Sequence, residues 1–370
     1  MPSDPQTRTR QSLLAAGLLA FLLLGAGQAV MGPALPVFRK IFSIDLAAAS
    51  WMISALGIGS FSGLVVLYFF GRFATPTRAL LVMIAGAALI AASPNFPVSV
   101  AACALFGLGY GAVAAQFNVR ILTAFGVRGP SMLSLLNAGY SVGAILAPLL
   151  FVTLGSNPRL LFGIIAALTA LTIVITGKTG NTKTPPPAEG ISSGFRFHLP
   201  ILAFGLVGIG VEVSLTGLGP SGLIRAGIDP ARAAELLSAF FVAFLAGRLG
   251  LTLVADRIPP FAIFIAAVLL TAVCAFACGA FDPAWFFPPM GFSAGLIFPG
   301  YFVTAAAKMG SDSRVAPVIL ATTQIGAVTA PLIIGQLVPQ MGDRGFFWLI
   351  GGTSAAIGLI GLATYRRMQR

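Results

Sequence analysis

Charge is scarce in this 370-residue chain, where 9% of residues are Asp, Glu, Lys or Arg and 57% are hydrophobic. A soluble domain of that length needs far more polar residues to cover its surface. Histidine occurs once, at His198, and there is neither an HExxH helix nor a GxxxxGK[ST] loop. That excludes a zincin-type hydrolase and ATP-driven pumping by this chain alone, and one histidine leaves an intramembrane hydrolase without its usual base. The three cysteines, Cys103, Cys274 and Cys278, all fall in apolar runs, so there is no extramembrane disulfide pattern. No cofactor is implied, and the protein is not read as an enzyme.

What is present is long apolar runs of about 16 to 28 residues, the length a helix needs to cross ~30 Å of hydrocarbon; strands would show as roughly ten alternating residues. Twelve helical spans are predicted, at 12–37, 47–70, 78–93, 98–125, 130–154, 159–177, 199–219, 234–255, 260–280, 285–307, 315–338 and 345–366. Arg8 and Arg10 precede the first as they would a signal peptide. Its run is too long for a signal-peptide core and eleven spans follow, so it is read as uncleaved.

Short loops rich in Lys and Arg stay cytoplasmic. With the N-terminus inside, the inner segments hold fourteen basic residues and four acids, and the outer loops six basic residues and five acids, a net +10 against +1. The expectation is a multi-pass protein of a bacterial-type inner membrane with both termini cytoplasmic. Topology and the anionic inner leaflet account for the formal +12, so no nucleic-acid partner is needed.

The longest polar stretch, KTGNTKTPPPAEGISSGFRFH at 178–198, carries three consecutive prolines, as a flexible or partly extended linker would. It separates six spans in 1–177 from six in 199–370, and the two halves resemble each other. SVGAILAPLL (141–150) recurs as QIGAVTAPLI (324–333), matching Gly143 and Pro148 to Gly326 and Pro331 at a shift of 183. Gly107, Gly111 and Gly126 match Gly291, Gly295 and Gly310 at 184. Gly32-Pro33, read as ending span one, matches Gly219-Pro220, read as ending span seven, at 187. Three matches in one order point to a duplicated six-helix unit. Parallel repeats of this kind place a solute site at the midplane between the halves and work by rocking one against the other.

With these features the chain resembles the major facilitator superfamily over its whole length. Locally it is similar to the branch of proton-coupled fucose transporters, through VGIGVEVSLTG in span seven, AGRLGLTLVADR (246–257), GLGYGAVAAQFN (107–118) and LIFPGYF (296–302). The resemblance implies an all-α membrane protein of twelve transmembrane helices in two six-helix pseudo-symmetric bundles, with a monomer as the family's usual condition. It also implies an acid in span seven.

Glu212 is that acid, about fourteen residues into its span and so roughly 20 Å from the cytoplasmic end. An ionised carboxylate there is expensive, so the group is expected to gain and lose a proton as its cavity faces either side. The structural alternative is a permanently protonated Glu212 donating a hydrogen bond to a neighbouring helix. Relatives show an acid four residues before an Asn in span four, whereas this chain has Ala114 ahead of Asn118, and span one offers only Gln28. Glu212 therefore acts alone, or the protein is a uniporter.

Arg120 and Arg248 lie toward the cytoplasmic ends of their spans, where they can snorkel to the headgroups. Alternatively Arg248, with Asp256 and Arg257, preserves the superfamily's gating motif between spans eight and nine; the first copy is degraded to GRFATPTR (71–78). Candidate solute-lining residues are Gln28, Gln116, Asn118, Asn137, Tyr140, Tyr301, Thr323 and Gln324, each of which could instead bond helix to helix. Uncharged groups of this kind suit a neutral polyhydroxylated solute. Trp51, Trp285 and Trp348 fall near span ends, where an aromatic belt explains them and leaves no mid-span sugar platform. Cys274 and Cys278, at i and i+4, form a weak candidate site for a soft ion. The Met-x-x-x-Met and His-x-x-x-Met pairs of the superfamily's copper importers are missing.

The function expected is proton-coupled uptake of a small neutral polar solute, sugar-like by resemblance, by a secondary active transporter working through alternating access. Importers of riboflavin, of a similar vitamin or of copper are the alternatives within the class. From another class comes a non-transporting assembly or sensor protein, suggested by the missing acid and the half-lost gating motif. Ala147-Pro148 is followed by LLFV rather than the Gly-rich pattern of exporters, which favours uptake.

Overall fold

In the structure, a computed structural model, the described residues are 5–70, 75–177, 195–254, 257–310 and 314–369. Most of the 178–198 linker, residues 71–74 of the degraded motif at 71–78, and the gating residue Asp256 lie outside them.

The described residues form twelve α-helices: α1 (Pro5–Phe42), α2 (Leu46–Phe70), α3 (Pro76–Ala92), α4 (Phe96–Phe125), α5 (Gly129–Thr153), α6 (Pro158–Gly177), α7 (Leu199–Arg225), α8 (Pro230–Val254), α9 (Pro260–Ala280), α10 (Pro283–Met309), α11 (Val315–Leu337) and α12 (Gly345–Gln369). Short 3-10 turns precede α5 and α12. Eleven helices are long and apolar enough to cross a membrane, and α3 is a shorter apolar helix.

Most boundaries follow from local chemistry. Thr75 accepts a hydrogen bond from the Arg78 amide and Asn95 from the Val98 amide, capping α3 and α4, and Asp282 caps α10 by accepting from Ala284. His198 has a similar job, its Nδ1 accepting from the Ile201 amide at the start of α7. Gly126 and Gly310 stop α4 and α10 at positive φ, +52° and +100°, where a side chain would be strained. The structure corrects the two Gly-Pro pairs: α1 continues ten residues past Gly32 to Phe42, and α7 six past Gly219 to Arg225. Neither proline ends its helix. Apolar surroundings and neighbouring helices tolerate the missing N–H in mid-helix.

The chain divides into two compact units, Met1–Ser43 with Trp51–Pro186, and Ile44–Ser50 with Pro187–Arg370. Apolar burial gives no drive between helices in lipid, so close approach through small residues does that work. In the first unit a methyl on Gly143 of α5 would collide with the Leu22 carbonyl of α1, and methyls on Gly107 and Gly111 of α4 with the Leu56 and Ser60 carbonyls of α2. In the second unit Gly326 of α11 meets Leu206 of α7, and Gly291 and Gly295 of α10 meet Phe240 and Phe244 of α8. Each contact recurs at the spacing of the repeat, so the matched glycines seat matching pairs of helices.

The core of the second unit holds an aromatic cluster among aliphatic side chains. Phe204 stands edge-on to Phe261 and Phe264, with centroids 5.3 and 5.8 Å away, and Tyr301 and Ile297 complete the cluster.

Candidate functional site

Gly25 lets α1 press against the backbone of α5 at Tyr140. One turn further along α1, Gln28 reaches across that crossing. Its Oε1 accepts a hydrogen bond from the Tyr140 hydroxyl at 2.9 Å and another from the Tyr110 hydroxyl of α4 at 2.7 Å. All three residues are half-buried, so the cluster is a polar patch among apolar helices. Tyr110 was not among the sequence candidates. The available signal was its place in GLGYG, between glycines that press α4 onto α2.

Gln116 and Asn118 lie further along α4. Gln116 is fully buried and neither end of its amide has a hydrogen-bond partner; Oδ1 of half-buried Asn118 is likewise unpartnered. Arg120 is only 8% exposed, which corrects its reading as a residue that snorkels to the headgroups. Asn137 is exposed and donates to the Leu133 carbonyl of its own helix. The structure therefore joins Gln28 and Tyr140, and adds Tyr110, but does not join Gln116, Asn118 or Asn137 to them by hydrogen bonds.

In the second unit Glu212 lies midway along the 27-residue α7, half-buried, on the face that carries Gly205 and Gly208. Those glycines are packed against Tyr301, Ile297 and Phe264, an apolar and aromatic wall. Oε2 of Glu212 is buried and has no hydrogen-bond partner, and among the described residues Glu212 forms no ion pair. Arg248 on α8 is the charged group whose field reaches it. The Arg248 guanidinium lies over the Phe244 ring, 4.4 Å from its centroid, with Nε buried and unpartnered. Among the described residues this guanidinium rests on an aromatic face and makes no ion pair with a carboxylate.

Tyr301 is fully buried in the aromatic core, its hydroxyl against Gly205 and unpartnered. Thr323 is buried and donates to the Leu320 carbonyl, while Gln324 is half-buried. Of the gating residues, Arg257 is exposed in the turn before α9 and Asp256 is not described. Cys274 and Cys278 are buried, Cys278 facing the Pro283 carbonyl at 3.8 Å, and the described residues contain no group of three or more His, Cys, Asp or Glu that could hold a metal.

The family model for the Major Facilitator Superfamily matches residues 17–316, and the chain belongs to that superfamily. It is a multi-pass secondary transporter and not an enzyme. No curated protein sequence matches it. The crystal structure of the nucleoside transporter NupG is similar, with a TM-score of 0.78 over 96% of this chain and 99% of its own, at 14% identity. The peptide transporter POT in complex with sulfate gives 0.76 over 99% of each chain at 17% identity. The D-xylose-proton symporter gives 0.75 over 95% of this chain and 96% of its own, at 13% identity. At such identities the likeness is one of fold.

Proposed function

We propose that the protein takes up a small, neutral, polar solute together with protons, with Glu212 as the proton carrier. The reading includes twelve spans, with α3 as the shortest, arranged as a six-helix unit in 1–177, a cytoplasmic linker at 178–198 and a six-helix unit in 199–370. Both termini face the cytoplasm of a bacterial-type cell, and alternating access moves the solute.

The observation that carries this reading is the unsatisfied Oε2 of Glu212 in mid-helix. A carboxyl kept permanently protonated as a structural donor would have an acceptor, and a permanent carboxylate would have paired with Arg248. Glu212 has neither partner, as suits a group that must change state in each cycle. The solute reading is supported by the uncharged cluster of Gln28, Tyr110 and Tyr140, which offers an amide and two phenol oxygens but no charge for an ionic solute. A sugar-like solute is in keeping with that chemistry and with the resemblance to the fucose-proton branch.

The test is uptake into proteoliposomes across a panel of sugars, nucleosides and vitamins, with and without an inward proton gradient. We expect one neutral solute to be concentrated only when the gradient is present, and Glu212→Gln to abolish concentration while leaving solute exchange. Gradient-driven accumulation by the Gln variant overturns the role of Glu212, and absence of flux from a stable, folded protein favours the non-transporting reading.

A further inference from the structure

A cavity of about 380 Å³ lies where three helix ends of the second unit meet. Pro260 and Phe261 at the start of α9, Val303, Ala307 and Lys308 near the end of α10, and Met368 in the last turn of α12 line it. Its volume falls in the ~300–1,000 Å³ range of small-molecule sites. Two chemistries meet here. Most of the lining side chains are apolar, with Thr304 as a polar exception beside Lys308, and Val303, 52% exposed, marks a side open toward the bundle surface. The cationic group in the lining is Lys308, whose ammonium donates to the Arg367 carbonyl at 3.2 Å; Arg366 and Arg367 are exposed on the last turn of α12 next to Met368, and Arg257 in the turn before α9. In sequence, the stretches 254–260, 303–316 and 362–370 hold six basic residues and two acids, Asp256 and Asp312. The start of α9 adds the positive end of its helix dipole.

We propose that this cavity binds an anionic phospholipid of the cytoplasmic leaflet, the phosphate held by Lys308 and the α12 arginines and the upper acyl chain lying along Pro260 and Val303. The identification of the leaflet rests on the cytoplasmic placement of this end proposed above. A free phosphate suits the rim but not the walls, and a neutral lipid suits the walls but not the rim; an anionic lipid suits both. Lys308 is already positioned by its bond to the Arg367 carbonyl, which leaves two of its three N–H groups to meet a phosphate.

The experiment measures thermal melting of the purified full-length protein in neutral detergent with added phosphatidylglycerol, phosphatidylcholine or inorganic phosphate. It needs neither transport nor known sidedness, so its failure is distinct from failure of the transport reading. We expect phosphatidylglycerol to raise the midpoint by about 3 °C or more over phosphatidylcholine. Lys308→Gln and the pair Arg366→Gln with Arg367→Gln should each at least halve that gain, and Lys308→Arg should keep it. Added salt should erode it. Equal shifts with the two lipids, an undiminished shift in folded Lys308→Gln protein, or full reproduction of the shift by inorganic phosphate each overturn the proposal. If Lys308→Gln does not fold, Lys308→Arg and the arginine pair carry the same comparison.

Discussion

Gln28 and Glu212 stand at equivalent points of the two units. Leu22 meets the seat of Gly143 and Leu206 that of Gly326, so six residues further along each helix comes the same place: Gln28 in α1, Glu212 in α7. The two side chains have nearly the same shape, and their surroundings differ. Gln28 receives two phenol hydroxyls, from Tyr110 and Tyr140. At the repeat positions of those tyrosines the second unit has Ala294 and Thr323, and the Thr323 hydroxyl is spent on the Leu320 carbonyl. Glu212 is thus stripped of the donors its counterpart enjoys, and has an arginine on the neighbouring α8 instead. The two halves share one frame, and on the reading proposed above the donors that hold Gln28 are withheld from Glu212.

The strongest way to break that contrast is to make the halves alike. Glu212→Gln should cut proton-driven accumulation by roughly tenfold or more. In a symporter the protonated carrier is the form that takes up solute, so wild-type solute affinity should weaken as pH rises through the titration of Glu212. The Gln variant should be flat over the same range. Adding Gln28→Glu to that variant moves the acid to a place where two hydroxyls hold it, and we expect no recovery; restored accumulation would show that position, not freedom from partners, makes the coupling group.

The shared frame is tested by the glycines. Gly143→Val and Gly326→Val push a side chain into a backbone carbonyl of the facing helix, which cannot yield as a flexible side chain would. Each should cost about 3 kcal/mol or more, by roughly equal amounts. Gly163→Ala in α6, where a methyl meets nothing within 4 Å, should be neutral or gain about 0.5–1 kcal/mol. Unfolding in denaturing detergent ranks the three.

Smaller losses should follow removal of the Gln28 donors. Tyr110→Phe and Tyr140→Phe each delete one neutral hydrogen bond, worth about 1 kcal/mol. The double variant leaves a half-buried carbonyl without donors and should lose more than the sum of the singles. Strict additivity in a double-mutant cycle would mean that the two phenols do not share one acceptor.

These features were unequally legible. Helix positions were read to within a few residues at most ends, because long apolar runs and their Asn, Asp, Thr and Pro punctuation leave few choices. The glycine matches were equally readable, since a repeated small residue at a fixed spacing is a packing instruction. Gly32-Pro33 misled because proline ends helices in water far more reliably than among packed apolar helices. The partnership of Tyr110 with Gln28 could not be read, because it links residues 82 apart through a crossing whose rotation only packing sets. The burial of Arg120 was hidden for the same reason: depth along a helix is a count of residues, but the side on which a residue lies depends on its neighbours.

The outer basic residues give the smallest and sharpest comparison. Loops assigned to the outside should be poor in arginine, yet Arg159 and Arg344 persist at matching places, ahead of the bodies of α6 and α12. Arg159 donates to the Ser93 carbonyl at the end of α3, 3.1 Å away. Arg344 donates to two carbonyls at the end of α9, Gly279 at 3.1 Å and Phe281 at 2.8 Å. Both close the C-terminal end of a helix whose last carbonyls lack intrahelical donors and whose dipole favours a cation. On this reading their charge serves capping rather than topology. Arg344→Ala should therefore lose about 1–2 kcal/mol and Arg159→Ala about 1 kcal/mol, without changing membrane orientation. Lysine at either place should recover part of the loss, because its ammonium is also a cationic donor but is more strongly hydrated than a guanidinium. Equal losses at the two sites would mean that the second bond of Arg344 contributes nothing.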